Sequence, residues 1–97
     1  MSVTAASGAL TRTVTIVNQR GLHARAAAKF VRLAGQYDAA VSVANADNEV
    51  SALSIMGLMM LAASPGTQIV LRASGRQAEE ALTALEELIC SRFGEGE

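Results

Sequence analysis

Three observations predict an α+β fold for this chain, a two-layer sandwich of four strands with three helices on one face. Apolar residues recur with a period of two in some stretches and of 3.6 in others, and the order of those stretches is βαββαβα. The joints between stretches carry Gly, Asn, Asp or Pro, the residues that break regular structure. The 97 residues are 51% hydrophobic with only two Phe and one Tyr, so one modest core is expected, built from Ala, Val, Leu, Ile and Met.

Taken in order, residues 1–11 (MSVTAASGALT) are small and polar and predict a flexible tail. RTVTIVN, residues 12–18, alternates Val14 and Ile16 with Thr13 and Thr15, the pattern of a half-buried strand. Gly21 interrupts it before a helix from about His23 to Ala34. Arg25, Lys29, Arg32 and Gln36 follow one another at helical steps and predict one solvated stripe; Ala27, Phe30, Val31 and Ala34 lie opposite and are expected in the core. AAVSVAN (39–45) and NEVSAL (48–53) read as two short strands turning at Ala46-Asp47. SIMGLMMLAA (54–63) predicts a short helix ended by Ser64-Pro65-Gly66, and TQIVLRAS (67–74) the fourth strand. After Gly75 the last helix runs from 76 to about 92, with Ala78, Ala81, Leu82, Leu85, Leu88 and Ile89 at core spacing and Glu79, Glu80, Glu86 and Glu87 toward water. The domain is expected to span 12–92, with 93–97 as a short C-terminal tail.

A net charge of −1 argues against a general nucleic-acid binder. The distribution is more telling. Arg12, Arg20, Arg25, Lys29 and Arg32 all precede the first acid, Asp38, so the N-terminal third predicts a positive patch suited to an anionic ligand or an acidic partner. One cysteine, Cys90, and one histidine leave too few ligands for a zinc site and no internal disulfide. Cys90 is expected as a buried or half-buried helix residue rather than a redox centre. No basic, apolar start resembles a secretion signal, and LSIMGLMMLAA is shorter than the roughly 20 residues a membrane span needs, so a cytoplasmic location is expected.

The single histidine lies in RGLHARAAAK, with an arginine on either side. At the start of a helix, backbone N–H groups without intrahelical partners point outward and, with the helix dipole, favour a phosphate or carboxylate. Arg25 adds a planar fork of donors for the same anion. Neighbouring positive charge also disfavours the imidazolium form, which leaves a ring nitrogen of His23 as a nucleophile. On spacing alone, a helix-start histidine among surface arginines is an equally good reading. General acid–base chemistry is a weaker one, because no acid lies near in sequence.

The helix SIMGLMMLAA is too apolar to bury all of Ile55, Met56, Leu58, Met59, Met60 and Leu61, and an exposed patch of this kind marks a docking surface. Methionine adapts to more than one partner. Ser54 opens that helix, either as an ordinary cap or as a phosphorylation site at the rim of the apolar face.

GLHARAAAKFV, then SIMGLMMLAA, then PGTQIVLRASG, in this order and spacing over nearly all of 12–92, resemble the HPr family, phosphocarriers of the phosphoenolpyruvate-dependent phosphotransferase system. The resemblance implies an open-faced sandwich with a four-stranded antiparallel sheet. It implies that His23 takes a phosphoryl group from Enzyme I and passes it to an Enzyme IIA protein, in sugar transport or in the nitrogen-type regulatory branch, with Arg25 assisting. It implies a monomeric, stoichiometric carrier without cofactor or metal and without turnover of its own. Ser54 matches the serine modified by an HPr kinase/phosphorylase. Arg20 and Lys29 would aid docking electrostatically, beside Ile55, Met56, Leu58, Met59 and Met60. The chain departs from the family pattern at Ala26, where proline is usual, at Arg20, where small or polar residues are frequent, and at Leu53, where lysine is common. The rival reading is a regulatory binding module that uses the apolar helix and Ser54 while His23 stays idle.

Overall fold

The computed structural model describes residues 9–17, 23–45, 48–61 and 66–94. In chain order these form β1 (Ala9–Thr15), α1 (Ala24–Ala34), β2 (Ala40–Asn45), β3 (Asn48–Ser51), α2 (Ile55–Met60), β4 (Gln68–Ser74) and α3 (Ala78–Cys90), then one 3-10 turn, Arg92–Gly94. The βαββαβα order read from periodicity is the order observed. The breaks expected at Gly21, Ala46-Asp47 and Ser64-Pro65 lie outside the described residues, as do residues 1–8 of the expected tail.

The strands form one antiparallel sheet in the order β1-β4-β2-β3. β4 is central, and its alternation turns Ile69, Leu71 and Ala73 to one side, where Val14 of β1 and Val41 and Val43 of β2 join them. α1 and α3 cover this face. α1 contributes Ala26, Ala27, Phe30 and Ala34, and α3 contributes Ala78, Ala81, Leu82, Leu85 and Ile89. α2 packs against α1 and β3 and sends Leu58 into the same core. Each large side chain fully withdrawn from water there contributes about 1.5–3 kcal/mol before the entropy of ordering is subtracted.

Several expectations change. β1 begins at Ala9 rather than at 12, because residues 9–11 still find ladder partners in Ser74, Ala73 and Arg72 of β4. Arg12 shares its strand face with Val14 and Ile16, so it turns toward the helices; its guanidinium meets Glu86 of α3 at 3.1 Å and Thr83 at 3.2 Å. It therefore neutralises a helix glutamate and does not contribute a free charge to the positive patch, and Glu86 does not stand wholly in water. Val31 is only half-buried. Cys90 is exposed, because it is one helical step, about 100°, past the buried Ile89. Phe93, assigned to the tail, is fully buried.

Among the described residues no helix covers the other face of the sheet. There the Ser42 hydroxyl donates to Oε2 of Glu49 at 2.6 Å, and Arg72 donates to the same oxygen at 2.7 Å. Ser42 and Glu49 are diagonal neighbours across β2 and β3, which brings their side chains into reach. The Ser42 hydrogen bond and, after it, the Arg72 charge hold the Glu49 carboxyl below the usual carboxylate range, with partial desolvation opposing them. A lowered folded-state value means that the ionised form stabilises the fold above the ordinary carboxylate range, and that this contribution disappears as pH falls through the folded value. Wild type should therefore exceed Glu49→Gln in stability near about pH 7, and the gap should narrow as pH falls below the ordinary carboxylate range. Urea unfolding of both proteins across that window checks it; a gap independent of pH would show that the carboxylate's charge contributes nothing.

Candidate functional site

α1 begins directly after His23, whose extended backbone (φ −77°, ψ 176°) makes it the residue that caps the helix. Its side chain makes no capping hydrogen bond, and its carbonyl accepts the Ala27 N–H at 2.8 Å, closing the first turn. The N–H groups of Ala24, Arg25 and Ala26 then have no acceptor inside the helix and sit at its positive end. No acid lies in this first turn. His23 is half-buried and Arg25 is exposed. The helix forms with Ala26 fully buried, as expected of a strong helix former. The arrangement joins an imidazole, a planar cation and a set of outward amides at one helix start, a combination able to hold an oxyanion attached to the imidazole.

The solvated stripe holds at Arg25, Arg32 and Gln36 but not at Lys29. The Lys29 ammonium donates to the Phe93 carbonyl at 2.6 Å in a partly buried contact, so it ties α1 to the turn after α3 instead of standing ready for a partner. Arg20 lies outside the described residues.

The apolar helix divides sharply. Leu58 is fully buried and is removed from the expected docking set: it points with Leu61 into the core and fastens α2 to the domain. Ile55, Met56, Met59 and Met60 are exposed as expected. Leu53, outside the expected docking set, is 61% exposed and extends the same patch. The run LSIMGLMMLAA already held that signal. Leu53 also approaches Gly35 at the C-terminal end of α1, so the apolar face adjoins the helix that His23 opens. Ser54 caps α2 by accepting the Gly57 N–H at 2.9 Å. A side chain at Gly57 would come within 3.0 Å of both Ser54 Oγ and Val50 Cβ, which fits the helix's close seat on β3. Among the described residues no helix is long and apolar enough to cross a membrane.

Comparison with known proteins agrees with this geometry. A family model described as "PTS HPr component phosphorylation site" matches residues 10–91. The chain is 55% identical over 85 residues to the phosphocarrier protein HPr of Pseudomonas aeruginosa, covering 87% of this chain and 94% of that one. It is 42% identical over 86 residues to the phosphocarrier protein NPr of Shewanella violacea, covering 89% and 94%. A crystal structure of HPr from Thermoanaerobacter tengcongensis superimposes with a TM-score of 0.85 at 44% identity, over 89% of this chain and 97% of that one. Sequence, sheet order and helix placement thus agree: this chain belongs to the HPr family of phosphocarrier proteins of the phosphotransferase system.

Proposed function

We propose that the chain carries a phosphoryl group on His23 between phosphorylated Enzyme I and an Enzyme IIA protein. The observation that carries the reading is the family match over residues 10–91 on a chain with one histidine, which stands at the head of α1. A ring nitrogen of His23 attacks phosphorus on the donor's phosphohistidine. The new N–P bond forms as the donor's breaks, and the donor imidazole leaves. The second transfer repeats these events with His23 as the leaving group and an Enzyme IIA histidine as the nucleophile. Arg25 and the first amides of α1 hold the phosphoryl oxygens in both directions. The same oxygens are bound before and after each step, so the group rests on His23 without being trapped.

Leu53, Ile55, Met56, Met59 and Met60 dock donor and acceptor in turn, and the carrier acts as a monomer. One face serving two partners requires short-lived complexes, with association helped by charge on α1. Ser54 is the regulatory position. A phosphate there would replace a cap hydroxyl and set nearly two negative charges beside Leu53, Ile55 and Met56, which opposes apolar docking. The final acceptor decides whether the relay feeds sugar transport or nitrogen-type regulation.

Intact-mass analysis after incubation with phosphoenolpyruvate and Enzyme I tests the reading. One phosphate that brief acid removes is the expected result; no phosphate on folded protein with an active Enzyme I would overturn it. Arg25→Ala should slow transfer from Enzyme I about 100-fold, within the range for removing one donor to a developing oxyanion. Arg25→Lys should recover only part of that, because an ammonium lacks the planar fork. Rapid-quench measurement of phosphorylated protein checks both variants, and equal rates for Arg, Lys and Ala would remove Arg25 from the site.

A further inference from the structure

Three of the chain's four methionines lie on α2, and all three are exposed: Met56 by 69%, Met59 by 41% and Met60 by 77%. Methionine is ordinarily among the more buried residue types. The core of the described residues contains none, being built from Ala, Val, Leu, Ile and Phe. Tryptophan, the other readily oxidised large side chain, is absent from the sequence. Among the described residues, the thioethers that an oxidant can reach are thus gathered on the outer side of one short helix, and none of them belongs to the buried core. Leu58, Leu61 and the Ser54 cap hold α2 in place.

We propose that Met56, Met59 and Met60 are a reversible oxidation site, at which hydrogen peroxide switches the docking face off and a dithiol-dependent sulfoxide reductase switches it on again. The inference rests on the reading of α2 as the docking face. In the forward step a sulfur lone pair attacks one peroxide oxygen. The S–O bond forms as the O–O bond breaks, water leaves, and the sulfur has lost two electrons to the peroxide. In the return step two thiols supply two electrons and two protons; the S–O bond breaks, water leaves and the reductant becomes a disulfide. The sulfoxide oxygen is a strong acceptor that an apolar interface leaves without a donor, so docking loses apolar contact and must also desolvate a polar group. Met56 and Met60 are four residues apart on α2, so both changes fall on one side of the helix.

The test uses Cys90→Ser protein, which removes the exposed thiol as a second peroxide target. Peroxide is removed after treatment, oxygen uptake is located by peptide mass, and far-UV circular dichroism monitors the fold. Phosphoryl transfer from untreated Enzyme I is timed before oxidation, after it, and after methionine sulfoxide reductase with dithiothreitol. The expected result is one oxygen each on Met56 and Met60 first, an unchanged spectrum, transfer slowed about tenfold or more, and recovery with the reductase. A Met56→Leu/Met59→Leu/Met60→Leu variant, compared only with its own untreated sample, should lose less than about twofold. An unchanged rate in fully oxidised protein, equal loss in the leucine variant, or loss that accompanies a melted spectrum would each overturn the switch. If untreated protein accepts no phosphate, the carrier reading has failed and the switch falls with it; transfer that is normal and insensitive to oxidation rejects the switch alone.

Discussion

His23→Ala is expected to take up no phosphate from phosphoenolpyruvate and Enzyme I, and to retain both its fold and its apolar face. The chain has no second imidazole to receive the group. The fold should survive because the His23 side chain makes no capping bond and is absent from the buried core, while its backbone role, accepting the Ala27 N–H, is available to any residue. A change of cap residue at such a position is worth about 1 kcal/mol at most, a small part of a domain's stability. The variant also separates the two readings of the chain. A carrier loses all transfer but still docks, whereas a regulatory binding module keeps its whole function. Intact mass gives the first readout, and an NMR titration with unphosphorylated Enzyme I gives the second, through shifts at Leu53, Ile55, Met56 and Met60. Acid-labile phosphate on the variant at the wild-type level would move the acceptor elsewhere and remove His23 from the mechanism. Loss of transfer together with loss of docking shifts would mean that the imbalance lies in the fold, which thermal unfolding would reveal.

The fold was legible wherever a period continued over several residues. β4 declared itself by Ile69, Leu71 and Ala73, and α3 by Ala78, Ala81, Leu82, Leu85 and Ile89. The direction of Arg12 is also legible, since it shares parity with Val14 and Ile16 and so faces the helices. Leu58 is a different case. On a helix that is apolar around its circumference, the pattern does not say which side meets the sheet, and only the seat of α2 on α1 and β3 singles out Leu58 and Leu61. Lys29 was legible as a helix cation, but its partner is a carbonyl 64 residues away in a turn without periodicity. At the site itself, local chemistry left two readings open. One histidine between arginines at a helix start left anion chemistry and an ordinary surface residue as equally good readings, and the resemblance over 12–92 favoured the first; the capping geometry of His23 and the adjoining of α2 to α1 needed the structure.

Phe93→Ala is expected to destabilise the domain by about 3–5 kcal/mol, a large share of the 5–15 kcal/mol typical of a whole domain. The ring is fully buried in a core otherwise short of aromatics. It reaches that core from a turn whose backbone is left-handed at three successive residues, Arg92 (φ 58°), Phe93 (φ 55°) and Gly94 (φ 74°). Glycine adopts this conformation freely; for the two side-chain-bearing residues it is disfavoured by about 1–3 kcal/mol each. Something must offset that strain, and two contacts do: burial of the ring, and the Lys29 ammonium on the Phe93 carbonyl at 2.6 Å. Alanine removes the first and leaves a cavity in the core, so the turn has little reason to stay closed. Lys29→Met, which keeps the stem and deletes the donor, should cost less, about 1–2 kcal/mol. In the double variant the two losses should not add, because opening the turn forfeits both contacts at once. Urea unfolding of the four proteins measures all three terms. A Phe93→Ala loss below about 1 kcal/mol would mean that the turn is an appendage rather than part of the core, and strict additivity would mean that ring and ammonium act on separate elements. The same closure bears on the site: Lys29 stands on α1 six residues after His23, so the Phe93 turn anchors the helix whose first turn presents the imidazole. Phe93→Ala should therefore lose phosphoryl acceptance at temperatures where wild type is fully active, in step with its unfolding, while Lys29→Met remains active.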